Sequence, residues 1–169
     1  MLLDGDRLFV EVRLRVIGGV LAIGQNLDVT AGGNITQAGA IVVPGTANFT
    51  IDGGLNKDVL LAGFDNDFAT GINVFAINGG TVRDLGLRNI HAGAAIPALP
   101  LTLRSLDLQF PNATIVVPTL TLSGNLNVQT GGPITQSGPL VVAGTSSFDA
   151  GANPVSLTDG SNLFTLPLP

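Results

Sequence analysis

Acid, base and imidazole gather at one place in this chain, where Asp84, Arg88 and His91 fall close together. Converged in a cleft, they would support acid–base chemistry. A second group, Asp65, Asn66 and Asp67 in GFDNDF with Asp58 upstream, offers oxygen ligands, and carboxylates two apart share a strand face. A Ca²⁺ site takes about six to eight oxygens, and here Asp58 lies further off along the chain. His91 is the single His, so a zinc site built on two imidazoles has no second ligand. Ser, His and Asp fall in no nucleophile motif. The expectation is therefore solvated turn residues at Asp65 and Asp67, and surface ion pairing around Asp84, Arg88 and His91. The sequons at Asn34, Asn48 and Asn112 read as turn chemistry in a chain rich in Asn and Thr. No residue is assigned a catalytic, cofactor-binding or metal-binding role, and the chain is read as a non-enzyme.

Such residues need elements to hold them, and composition bounds the choice. A length of 169 residues is one domain, here 1–169. Only 11% of the residues are charged, against a usual share of about 25%. With 23 Gly and many Thr, Asn, Val and Leu, the chain reads as all-β and rich in turns. The formal charge of −5 is scattered as single carboxylates, whereas nucleic acid asks for a basic face. No polybasic or amphipathic stretch suits a membrane surface. The apolar run Val16 to Gly24 is far short of the roughly 20 residues a membrane helix needs. With no Cys, disulfides and thiolate metal sites are excluded. The opening MLLDGDRLFVEVR has acids and arginines where a secretion signal carries a basic start and an apolar run.

The strongest signal is internal. Asn26 to Phe49, NLDVTAGGNITQAGAIVVPGTANF, returns as Asn125 to Phe148, NLNVQTGGPITQSGPLVVAGTSSF, at a constant offset of 99 residues. The copies are taken as 25–54 and 124–153, and residues 1–24 as an N-terminal capping rung. NPVSLTDGSNLF from Asn153 echoes NKDVLLAGFDNDF from Asn56 more loosely. Period-two alternation from Leu8 to Val16 marks a strand with one charged face. Further pairs or triplets of inward residues follow, including Ile41 and Val43, Phe49 and Ile51, and Ile72, Val74 and Ile77. Leu99, Leu101 and Leu103 alternate too, after an expected outward loop from Ala92 to Pro100. Turns recur every six to ten residues, a spacing that no helix uses and that a meander suits less naturally than a coil. Short strands wound into a stacked coil fit it, with Leu27 to Phe49 as one coil and 99 residues as four or five coils. The two copies are expected at the same place in the stack.

GNL-x-V followed by GG-x-ITQ-x-G and a GT-x-x-F turn resembles the tandem repeats in the stalks of filamentous-haemagglutinin-type adhesins. The motif is carried by Asn26, Leu27, Val29, Gly32, Gly33, Ile35, Thr36, Gln37, Gly39, Gly45, Thr46 and Phe49, and by their second-copy counterparts. The resemblance implies a right-handed parallel β-helix, export by Gram-negative bacteria through a partner channel, and a place outside the cell or at its surface. It also implies a non-enzymatic stalk or scaffold. A second reading is a filament subunit that self-associates by end-to-end strand stacking. A third is a module that binds host or surface glycans or degrades polysaccharide, which predicts a carboxylate-lined groove. No cofactor, nucleic-acid partner or membrane insertion is expected.

Overall fold

The computed structural model describes residues 12–14 and 20–165. Side chains are described from residue 20, so most of the expected capping rung lies outside the described residues. The chain winds as a β-solenoid of about seven turns. The first coil holds β1 (Val12–Leu14), β2 (Val20–Ala22) and β3 (Leu27–Ala31). The second holds β4 (Ile35–Gln37), β5 (Ala40–Val43) and β6 (Thr46–Asp52), and the third β7 (Lys57–Leu61), β8 (Asp67–Phe68) and β9 (Gly71–Ile77). The fourth has one strand, β10 (Val82–Arg88). Then come β11 (Ser105–Phe110), β12 (Ile115–Val117) and β13 (Leu120–Leu122), followed by β14 (Leu126–Thr130), β15 (Ile134–Gln136) and β16 (Leu140–Val142). The last coil is β17 (Ser146–Asp149), β18 (Val155–Ser156) and β19 (Leu163–Phe164). Every strand pairing is parallel, and no helix occurs among the described residues.

One side of the coil is a continuous seven-stranded sheet, β1-β4-β7-β10-β11-β14-β17. The other two sides are each split into two three-stranded sheets: β2-β5-β8 and β12-β15-β18, then β3-β6-β9 and β13-β16-β19. Alternation along each strand sends one set of side chains inward. Phe49, Ile51, Val59, Leu61, Leu108, Phe110, Val128 and Ile134 are fully buried in one apolar column. A single coil encloses almost no interior, so stacking supplies the burial that drives the fold.

The residues that recur between the copies are the ones that join each coil to the next. Asn26 Oδ1 accepts from Thr46 N–H at 3.0 Å, and Asn125 Oδ1 accepts from Thr145 N–H at 3.0 Å. Gly45 and Gly144 precede those threonines because a Cβ there would collide with the Asn26 or Asn125 carboxamide. Gln37 pairs through both amide groups with Asn66, at 2.8 and 3.1 Å, and Gln136 pairs likewise with Asn162, at 2.9 Å twice. Phe49 meets Phe68 edge-on at 6.1 Å, and Phe148 meets Phe164 at 6.1 Å. The loose echo after each copy is thus the other half of each device, Asn66 with Phe68 and Asn162 with Phe164. Gly45→Ala is expected to lose about 1–3 kcal/mol in urea unfolding, because the new methyl also sits 2.7 Å from the Gln25 carbonyl oxygen. Gly63→Ala, whose Cβ meets nothing within 4 Å, should change stability by less than about 0.5 kcal/mol.

Three sequence expectations are corrected. The first concerns the coil length: Leu27 stacks on Ala47, 20 residues on, and it is Val29 that stacks on Phe49. The second concerns the copies, which do not share a place in the stack. Ile35 lies in the seven-stranded sheet, between Val12 and Val59, whereas Ile134 lies on the next side, between Ile115 and Val155. From β4 the chain passes through β7, β10 and β11 to β14, four coils, and then one further side to β15. Each copy is paired in register with the coil before it as well as the coil after it. The third concerns parity and proline. Ile77 is 44% exposed, because β9 runs unbroken and alternation puts it on the outer face with Asn73 and Phe75. The alternation from Leu99 to Leu103 forms no strand, since Pro97 and Pro100 remove backbone donors. Leu101 is fully exposed, Leu103 is buried, and Ala94, Ile96 and Leu99 pack on the core from the expected outward loop.

Candidate functional site

The outer face of the seven-stranded sheet is where the groups with chemistry meet. Register sets its central row as Thr36, Leu60, Gly86, Asp107, Asn127 and Ser147 on successive strands. Between Val82 and Leu85 the pairing of β10 with β7 slips, giving β10 an extra residue. Arg83 and Asp84 both face outward there and reach opposite ways. Arg83 donates bidentately to Asp58 of the coil before, at 2.9 and 2.6 Å. Asp84 accepts bidentately from Arg104 of the coil after. The Asp58 hydrogen bond, and then its charge, hold the Arg83 guanidinium above its usual range, and Asp84 does the same for Arg104. Both residues therefore stay cationic throughout the working pH range.

Gly86 leaves a hollow in that row. It is buried at the centre of β10, and a Cβ placed there would lie 3.3 Å from the Ala62 methyl. A glycine within a strand leaves room for something to approach the backbone closely. The resulting groove has a volume of about 470 Å³ and runs from Thr36 to Asn127. Leu60, 44% exposed, forms one wall. Asp107 forms the other, accepting from Asn127 Nδ2 at 2.7 Å and from Gln109 Nε2 at 3.1 Å. Asp84 and Ser105 stand along the rim.

Residues 13–75 and 104–168 match the family described as Repeats of unknown function (DUF5649). Together the two matches cover well over half of the chain. The chain belongs to this repeat family. Comparison with curated proteins and with solved structures gives no match. In this DUF5649 protein the stretch between the two matched units, 76–103, contains β10, its bulge and the crossing that has no strand. Gly86, the floor of the groove, therefore belongs to neither repeat unit.

The residues singled out from the sequence fall elsewhere than in one cleft. Asp84, Arg88 and His91 do not converge. Asp84 binds Arg104, Arg88 binds Asp65 at 2.6 Å and Gln109 at 3.0 Å, and His91 Nδ1 lies 2.8 Å from Asp67. Asp58, Asp65 and Asp67 of the third coil thus meet Arg83, Arg88 and His91 of the fourth, while Asp84 turns to Arg104 of the coil after. Asn66, between Asp65 and Asp67 in the stretch expected to be a solvated turn, is fully buried. Asn34 Oδ1 accepts from Asp58 N–H at 3.0 Å, Asn48 sits in a ladder between Asp28 and Asn73, and Asn112 donates to the Ile90 carbonyl at 2.7 Å. Among the described residues, no group of three or more His, Asp or Glu is arranged to hold a metal ion. The groove was not legible in the sequence. Leu60, Gly86 and Asp107 are 26 and 21 residues apart, and only the register of unequal coils brings them into one row.

Proposed function

We propose that this chain is a non-enzymatic structural module, a stiff β-solenoid segment of an extracellular bacterial surface protein of the filamentous-haemagglutinin type. One observation carries this reading: the side chains with catalytic potential bond the coil beside them. Asp58, Asp65 and Asp84 each pair with an Arg of an adjacent coil, and Asp67 lies within hydrogen-bond distance of His91, so these side chains tie the stack together. Such a stack lengthens by about 4.8 Å per coil at constant cross-section, which suits a spacer. Small-angle scattering of a tandem of two copies should show a rod of doubled length and unchanged cross-section. A compact particle would overturn the stalk reading. Antibodies to the purified chain should label intact cells of the source bacterium, and labelling only after lysis would overturn the surface placement.

A filament by end-to-end stacking is the second reading. It is favoured by β18, whose Val155 stacks in register on the fully buried Ile134 yet is itself 42% exposed. Electron microscopy at high protein concentration decides it, with monodisperse particles counting against it.

A further inference from the structure

We propose that the groove over Gly86 binds a neutral oligosaccharide, laid along the solenoid axis across β4, β7, β10, β11 and β14. This goes beyond a stalk role and does not depend on it. The volume of about 470 Å³ lies within the range of small-ligand sites. Four strand spacings give a trough about 19 Å long, which suits a short chain better than a compact molecule. The walls differ in the way a sugar does. Leu60, Ala62 and the Gly86 backbone offer an apolar surface for the C–H face of a pyranose. Asp107, Asn127, Asn125 and Ser105 offer acceptors and donors for its hydroxyls. Asp107 is held by two amides and by no cation, so its carboxylate keeps acceptor capacity for a pair of neighbouring hydroxyls.

Charge selects against acidic sugars. Two carboxylates, Asp84 and Asp107, border the groove and no Lys or Arg lines it. The nearby guanidiniums are taken: Arg83 by Asp58, Arg104 by Asp84 and Arg88 by Asp65. An anion entering the trough would meet no free donor of positive charge, on a chain whose formal charge is −5.

The test is titration calorimetry of the purified chain against cello-, xylo-, manno- and malto-tetraose, with tetragalacturonate as the acidic counterpart. At least one neutral tetrasaccharide should bind, and tetragalacturonate should bind more weakly. Gly86→Val fills the floor and should abolish binding. Because that change also presses on Ala62, Leu60→Ser serves as a second variant on an exposed side chain that the fold does not need. It should weaken binding severalfold. Asp107→Ala should weaken it by about tenfold or more, the scale of losing a hydrogen bond to a charged acceptor. Leu101→Ser, at a fully exposed position outside the groove, should leave binding unchanged. No binding by any neutral sugar, binding by Leu60→Ser and Asp107→Ala as tight as by the unsubstituted chain, or preference for tetragalacturonate would each overturn the proposal.

Discussion

Phe49→Ala should lower the free energy of unfolding by about 3–5 kcal/mol, whereas Phe148→Ala, at the matching position of the second copy, should cost only about 1–2 kcal/mol. The two side chains have the same sequence surroundings and the same aromatic partner, at 6.1 Å in each case. They differ in what covers them. Phe49 is fully buried and stacked on both sides, by Val29 and by Val74. Truncating it opens a cavity in a column that cannot collapse without shifting two coils. Phe148 is stacked on Val128 alone, in the last coil, and is partly exposed. The rim can relax there, and water already reaches part of the ring. Urea unfolding of the two variants, followed by circular dichroism, measures the difference. Equal losses would mean that position in the stack does not set the cost.

The same contrast explains how much of the molecule the sequence discloses. Strand positions follow from local alternation, so β5, β6, β7 and β11 sit where the alternating apolar residues put them. The stacked coil follows from the repeat. The angular place of each copy does not, because it depends on summing coil lengths that vary from 19 residues, between Ile115 and Ile134, to 26, between Val59 and Leu85. A fourth coil with a single strand adds to that sum without leaving a hydrophobic period to count. The groove depends on the same sum, since Gly86 opens a hollow only because Leu60 and Asp107 fall beside it. The ion pairs depend on it as well. Arg88 and His91 look like a cluster with Asp84 along the chain, yet across the coils they face Asp65 and Asp67.

Asn66→Ala should be comparably damaging, at about 4 kcal/mol, even though it removes a polar side chain from a loop flanked by acids. The Asn66 carboxamide is fully buried and joins three coils. Its oxygen accepts from Gln37 Nε2 at 2.8 Å and from Ile41 N–H at 2.9 Å in the second coil. Its nitrogen donates to Gln37 Oε1 at 3.1 Å, to the Leu61 carbonyl at 2.8 Å in the third coil and to the Arg88 carbonyl at 3.1 Å in the fourth. Each buried partner left without a bond costs about 1–3 kcal/mol, and the shared site keeps the total below their sum. Asn162 makes the corresponding bonds to Gln136, Leu140 and Leu157 but lies partly exposed in the last coil. Water can replace what Asn162→Ala removes, so that variant should lose only about 1 kcal/mol. Hydrogen exchange separates this cause from a general loosening. In Asn66→Ala the Ile41 amide should lose protection beyond the drop shared by the Val59 and Val128 amides, because its acceptor is gone while theirs are backbone carbonyls of neighbouring strands. If the Ile41 amide falls only in step with them, the carboxamide is not what holds the second coil to the third and fourth.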